Sequence, residues 1–136
     1  MKVLPLAVLV SSLAACALPA LAQAPITVKL DLYDGDKYSH AFSEGVRAAI
    51  AGDARFQVAD KLPPEGLKIS VDDAISYDAG NGAETAGYAV SLKLGSGKSV
   101  TRLDGYCDVK KWDMCGRVVA QDAYDAYQTY MAAHGG

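Results

Sequence analysis

The chain has 136 residues, with 13 basic and 16 acidic side chains and a formal net charge of -3 at pH 7. This acidic balance disfavours nucleic acid and anionic membranes as partners, because both select basic surfaces. The length allows one folded domain after a leader segment, and the sequence contains no internal repeat.

The first 22 residues have the organisation of a bacterial export signal. Lys2 gives a positive start, an uncharged apolar run follows, and small residues at Ala20 and Ala22 suit cleavage after Ala22. We therefore expect a signal peptide at 1–22 and a single periplasmic or secreted α+β domain at 23–136.

A second interpretation of this start stays open. The stretch from Leu13 to Cys16 resembles a lipobox, in which the cysteine becomes the lipidated first residue of the mature chain. In that case Cys16 would anchor the domain to a membrane, and otherwise no membrane partner is expected. In both cases Cys16 takes no part in the folded domain.

The first elements of the domain are predicted from hydrophobic periodicity. Alternating apolar residues at 26–32 predict a strand, and helical spacing at 39–50 predicts a helix capped by Ser39 and ended by Gly52. Gly45 in that helix indicates a close contact between helix and sheet. A short second strand follows at 55–59.

The later elements are mostly strands, with a helix at the end. Strict alternation at 88–94 predicts the central strand of the sheet. Before it, a third strand is predicted at 67–77 with a bulge near 72–73, followed by a hairpin loop at 78–84. After it, a turn at 95–97 leads to a fifth strand at 99–107. The last element is a helix at 113–134 capped by Asp113. Residues Val118, Val119, Ala123, Ala126, Tyr127 and Tyr130 are expected on the buried stripe of that helix.

This order predicts an α+β fold: a two-layer sandwich in which strand-helix-strand is followed by an antiparallel meander and a C-terminal helix. Both helices are expected on the apolar face of the sheet. The opposite face should be an open polar surface, and if open it is the favoured broad contact surface of the domain, with simple solvation as the competing interpretation. It should be formed by Thr27, Lys29, Asp31, Lys68, Ser70, Ser91 and Lys93.

About 20 residues, from Phe42 to Ile50 and from Asp53 to Asp60, carry a family resemblance. A helix that ends a few residues before an Asp-x-Arg-Phe-x-Val strand resembles a small periplasmic α/β domain. That domain is shared by the Tol-system propeller protein, the curli secretion pore and lipoprotein activators of penicillin-binding proteins. The resemblance implies a fold and an envelope setting, and none of the matching residues is catalytic in that family.

The two remaining cysteines, Cys107 and Cys115, form an even pair in a chain expected to be exported. This predicts a disulfide between them. Their spacing fits neither a zinc site nor a Cys-x-x-Cys redox motif. A redox role for Cys115 near a helix N-terminus is the alternative.

Aromatic residues near the C-terminus are the candidate contacts for a partner. Tyr124, Tyr127 and Tyr130 are spaced so that one helical face cannot hide all three, and Trp112 lies between the cysteines. The competing interpretation is that the tyrosine rings lie at the edge of the core with their hydroxyl groups in water.

No catalytic, cofactor or metal site is expected. The segment 97–99 ends like a phosphate-binding loop but lacks the preceding glycine, and the aspartates at 31–36 lack calcium-loop spacing. We expect an exported bacterial envelope protein that acts by contact with another envelope or secreted protein. The alternatives are a small secreted hydrolase or ligand-binding enzyme, and an inhibitor of a secreted enzyme.

Overall fold

The computed structural model describes residues 23–72, 76–78 and 84–134, and for 76–78 it describes the backbone alone. These residues form a mixed sheet and two helices, which confirms the predicted α+β fold with a C-terminal helix. Neither of these helices combines the length and the apolar character needed to cross a membrane. The elements are β1 (Ile26–Leu32), α1 (Lys37–Ala51), β2 (Phe56–Val58), β3 (Leu67–Val71), β4 (Ser76–Asp78), β5 (Thr85–Leu94), β6 (Ser99–Asp108) and α2 (Trp112–His134).

The strands lie in the spatial order β2, β1, β3, β5, β6, with the short β4 beside β5 on the same side as β3. β1 is parallel to β2 and β3, as expected when a helix connects the first two strands. β5 is antiparallel to both β3 and β6, as predicted for the meander. β5, which was predicted to be central, lies one strand in from the β6 edge.

The predicted single strand at 67–77 is wrong in one respect, because it is divided into β3 and β4. Ser76 lies opposite Gly87, whereas uninterrupted pairing from β3 would place it opposite Thr85. Two extra residues are therefore accommodated between the two strands, where the sequence predicted a bulge. Most of that segment, 73–75, lies outside the described residues.

The predicted turn at 95–97 is confirmed as the connection between β5 and β6. The Gly97 backbone N–H donates to the Leu94 carbonyl oxygen at 2.8 Å, and Gly97 has a φ of 94° that favours glycine. The segment 97–99 thus belongs to a hairpin. The other predicted hairpin loop, at 78–84, falls almost entirely outside the described residues.

The core lies between the sheet and the two helices. Alternate side chains of β1, β3 and β5 fill it, including the fully buried Val28, Ile69 and Leu92. Phe42 of α1 is the largest fully buried residue and stacks on Tyr88 of β5, with 4.7 Å between ring centroids. The apolar face of the sheet is therefore the covered face.

The start of α1 differs from the prediction, because Asp36 caps the helix and Ser39 lies in its first turn. One Asp36 carboxylate oxygen accepts hydrogen bonds from the backbone N–H groups of Tyr38 and Ser39, at 3.1 and 3.0 Å. The other accepts the Ser39 hydroxyl at 2.8 Å. These bonds, led by that from the Ser39 backbone, lower the pKa of Asp36. Aspartate and serine are comparable caps, so residue type alone could not choose between them.

The close approach expected at Gly45 exists, but it joins the two helices instead of a helix and the sheet. A Cβ atom on Gly45 would collide with the backbone carbonyl of Trp112, at the start of α2. A Cβ atom on Gly116 would collide with the carbonyl of Gly45. The backbones of α1 and α2 therefore meet where each helix has a glycine.

Candidate contact surfaces

The disulfide predicted between Cys107 and Cys115 is present, and their Cα atoms are 5.8 Å apart. Cys107 lies near the end of β6 opposite Ala86, and Cys115 lies in the first turn of α2. Both cysteines are buried. The bond fixes the start of α2 against the edge of the sheet.

Trp112 is the first residue of α2, and it is half-buried. Its ring packs against the core and lies 6.2 Å from that of Tyr38, centroid to centroid. The Asp113 cap predicted for this helix is wrong by two positions, because α2 begins at Trp112 and its first backbone bond runs from the Cys115 N–H to the Lys111 carbonyl. The contacts of Trp112 secure the start of α2, and part of its ring still faces solvent.

Tyr124 lies over a cluster formed by the Asp-x-Arg-Phe segment. The Arg55 guanidinium donates to both Asp53 carboxylate oxygens, from Nε to Oδ1 at 3.0 Å and from Nη2 to Oδ2 at 2.7 Å, with a longer bond from Nε to Oδ2 at 3.3 Å. Its carbon lies 4.3 Å from the centre of the Tyr124 ring, which meets Phe56 edge-on. This segment therefore connects the end of α1 to α2 through paired charges and a cation–π contact.

The Arg55 side chain is the main reason why the pKa of Asp53 lies below its ordinary value of 3.8; its hydrogen bonds outweigh the opposing effect of burial. A carboxylate whose pKa is lower in the folded than in the unfolded chain stabilises the fold at pH values above its unfolded pKa. This stabilisation is lost as the pH falls through its pKa in the folded chain. We therefore expect Asp53→Asn to lower the free energy of unfolding at pH 7 by at most about 1 kcal/mol, because Arg55 is partly exposed. The deficit should shrink as pH falls from about 5 towards 2.

Urea unfolding of both chains across this pH range measures the difference. Glu44→Gln is the matched control, because Glu44 and Arg47 form an ion pair that is about half exposed. That control should change stability little at any pH. A deficit for Asp53→Asn that is the same at pH 7 and at pH 2.5 would contradict the proposed ion pairing.

The other two tyrosines also have partners within the chain. The Tyr127 hydroxyl donates to the Glu65 carbonyl oxygen at 2.6 Å. Burial, followed by the Glu65 charge, raises the pKa of Tyr127. Tyr130 stacks on His134 with 4.1 Å between ring centroids. All three tyrosines are half-buried, and they contact different parts of the domain.

Hollows lie beside the second half of α2, and two of them are lined by described residues alone. One has a volume of about 270 Å³ and is lined by Tyr130, Met131 and His134, opposite the 62–66 loop and the turn after β5. The other, about 460 Å³, lies between the N-terminal segment 23–27 and Tyr127. Among the described residues no three histidine, cysteine or carboxylate side chains are grouped as metal ligands would be.

The aromatic side chain with the greatest exposure among those the structure describes was not among the predicted contacts. Tyr106 of β6 is 84% exposed and lies opposite Gly87, on the face of the sheet away from the helices. Tyr106 follows Arg102 and Asp104 at every second position of β6, which could have predicted that it lies on the same open face. The strand as a whole alternates too weakly between apolar and polar residues for this to be recognised. Val118, predicted on the buried stripe of α2, is instead 45% exposed because the stripe continues through Val119.

The open face of the sheet is built from the side chains that point away from the core. Lys29 and Lys93 are exposed, and no described helix covers them, as predicted. Ser70 is the exception to the predicted open surface, at 5% exposure. Its short side chain lies on β3 with a paired strand on each side, so the longer neighbouring side chains shield it.

The strand register places the charged residues of this face in rows. Lys29, Lys68 and Lys93 lie directly opposite one another on β1, β3 and β5. The Lys68 ammonium lies 3.6 Å from a carboxylate oxygen of Asp31, the first residue of the next row. On β6, Arg102 pairs with Asp104 at 3.2 Å. The face is polar and carries both charges, but the basic ones are aligned across three strands.

Comparisons of this chain with known protein families, with curated proteins and with solved structures found no match. The disulfide fits a protein that folds outside the cytoplasm, where such bonds form and persist.

Proposed function

We propose that this protein is exported to the bacterial cell envelope and acts there by contact with another protein, without catalysis of its own. The observation that carries the proposal is the open polar face of the sheet beside a disulfide-closed edge. A broad face of this kind suits a macromolecular partner, whereas small molecules are usually bound in concave sites. The export signal and the envelope family that the sequence resembles support the setting.

Tyr106 supports the same face as the contact surface. An exposed tyrosine beside a glycine can lay its ring against a partner, and tyrosine is enriched among the residues that dominate binding energy. The aromatic residues of α2 already contact other residues of the chain, so we place the partner contact on the open face and not on α2. Ligand binding in the hollows beside Tyr127 and Tyr130 is the second candidate.

Site-specific photo-crosslinking in a bacterial host that produces the full chain tests this function. A photoreactive residue replaces Asp104 on the open face in one variant, and Gln121, exposed on α2, in the control. We expect a discrete cross-linked protein from the envelope fraction for the first variant and little for the second. Mass spectrometry of the same fraction should show a mature chain beginning at Gln23.

Retention of the uncleaved chain in the cytoplasm would contradict the proposed setting. Equal cross-linking from both positions, or none from the open face, would contradict the proposed surface. A small molecule that co-purifies and protects the hollow beside Tyr130 from modification would instead favour the ligand-binding alternative.

A further inference from the structure

The row formed by Lys29, Lys68 and Lys93, called the lysine row below, is an unusual feature for an acidic protein. The three residues occupy directly paired positions on adjacent strands of the open face. Adjacent strands are about 4.8 Å apart, so the side chains emerge along a line roughly 10 Å long. Lys29 and Lys93 are exposed, and Lys68 is 39% exposed at its side chain.

This alignment is unfavourable in the free protein. Like charges directly opposite each other on neighbouring strands destabilise the pair, and the lysine row contains two such pairs. Of the carboxylates that the structure describes, Asp31 alone compensates, through its contact with Lys68. Among the described residues, no carboxylate lies within ion-pair distance of the ammonium groups of Lys29 and Lys93. An external anion would relieve this repulsion.

We propose that the lysine row is the docking site for an acidic, extended segment of the partner protein. This inference rests on the proposed function and specifies the chemistry of the contact. About four residues of an extended chain span 10 Å, so two or three carboxylates in a short acidic stretch can reach all three ammonium groups.

The surroundings of the lysine row favour a narrow ligand over a membrane surface. Asp31 lies in the next row on β1, and Asp104 lies across the same face on β6. The whole chain carries a net charge of -3. A broad anionic surface would bring its charges close to these carboxylates, whereas a single segment that follows the row contacts mainly the lysines.

The test uses the mature chain and a synthetic hexaglutamate peptide, with hexaglutamine as the neutral comparison. Binding is followed by NMR through the backbone amides of the three row residues. We expect saturable shifts at low ionic strength with hexaglutamate alone, and their loss at 1 M salt, where the Debye length is about 3 Å. The double variant Lys29→Met/Lys93→Met should weaken the peptide affinity at least about tenfold.

The matched control is Lys110→Met/Lys111→Met, which removes the same charge from the exposed turn between β6 and α2. It should change the affinity less than about twofold. The row variant should also unfold at an equal or higher urea concentration than the parent, because repulsion has been removed. This second measurement separates lost binding from lost folding.

Equal losses in the two double variants, or no loss in the row variant, would overturn the inference. Binding to vesicles that contain 30% phosphatidylglycerol, without binding to hexaglutamate, would also overturn it in favour of a membrane. If Asp104 still cross-links to a partner when the row variant binds normally, the proposed function stands and this docking site is wrong. If Asp104 cross-links to no protein and the lysine row binds no hexaglutamate, both the proposed function and this docking site are wrong.

Discussion

Replacing Gly116 with alanine is expected to lower the free energy of unfolding by about 2 kcal/mol. Alanine is the better helix former by about 1 kcal/mol, but its Cβ would collide with the backbone carbonyl of Gly45. A backbone carbonyl cannot rotate out of the way, so α1 and α2 must separate and loosen the buried contacts around Val46 and Val119. Urea unfolding of the purified domain measures the loss.

Gly52→Ala is the matched control, because Gly52 ends α1 with a φ of -86° and a Cβ there would meet only the Ala48 carbonyl at 3.2 Å. That variant should lie within about 0.5 kcal/mol of the parent. Gly45→Ala should lower the free energy of unfolding about as much as Gly116→Ala does. The double variant should lose less than the sum of the two, because both substitutions force apart the same contact between α1 and α2. Stabilisation by Gly116→Ala would show that the helices are not held at this distance.

Removing the disulfide with Cys107→Ala/Cys115→Ala is expected to cost about 2–3 kcal/mol. The bond joins residues eight positions apart, and closing a loop of this size restricts the unfolded chain by about that amount. Both cysteines are buried, so the lost packing adds to the effect. Urea unfolding of the double variant beside the oxidised parent measures the difference.

Reductant provides the control for the disulfide. It should shift the urea midpoint of the parent towards that of the double variant and leave the variant unchanged. Thiol titration of the unfolded mature parent should find no free thiol. Two free thiols, with a midpoint indifferent to reductant, would contradict a structural role and support the redox role considered for Cys115.

Local patterns in the sequence were sufficient for the order of most elements and for the two faces of β1 and β5. Alternation in β1 and β5 identified which side chains face the core, because successive side chains of a strand point to opposite faces. The even pair of cysteines, in a chain expected to be exported, was enough to predict the disulfide. These predictions depend on residues close together in the chain or on composition.

The features that the sequence did not predict depend on how distant segments align. Parity placed Lys29, Lys68 and Lys93 on one face, but only the offsets between strands put them opposite one another. The partner of Gly45 could not be deduced either, because a glycine that permits close approach does not identify what approaches it. Tyr106 was missed because its strand alternates poorly.

The contact between α1 and α2 also bears on when the domain can fold. α2 follows every strand in the chain, yet it supplies Val119, Ala120 and Ala123 to the same core as α1. Until α2 has emerged, the part of α1 around Gly45 lacks its partner helix, and the disulfide lacks one of its sulfurs. Folding therefore depends on contacts between distant parts of the chain, which form slowly. A core built in this way closes only once the last helix is available to pack on it.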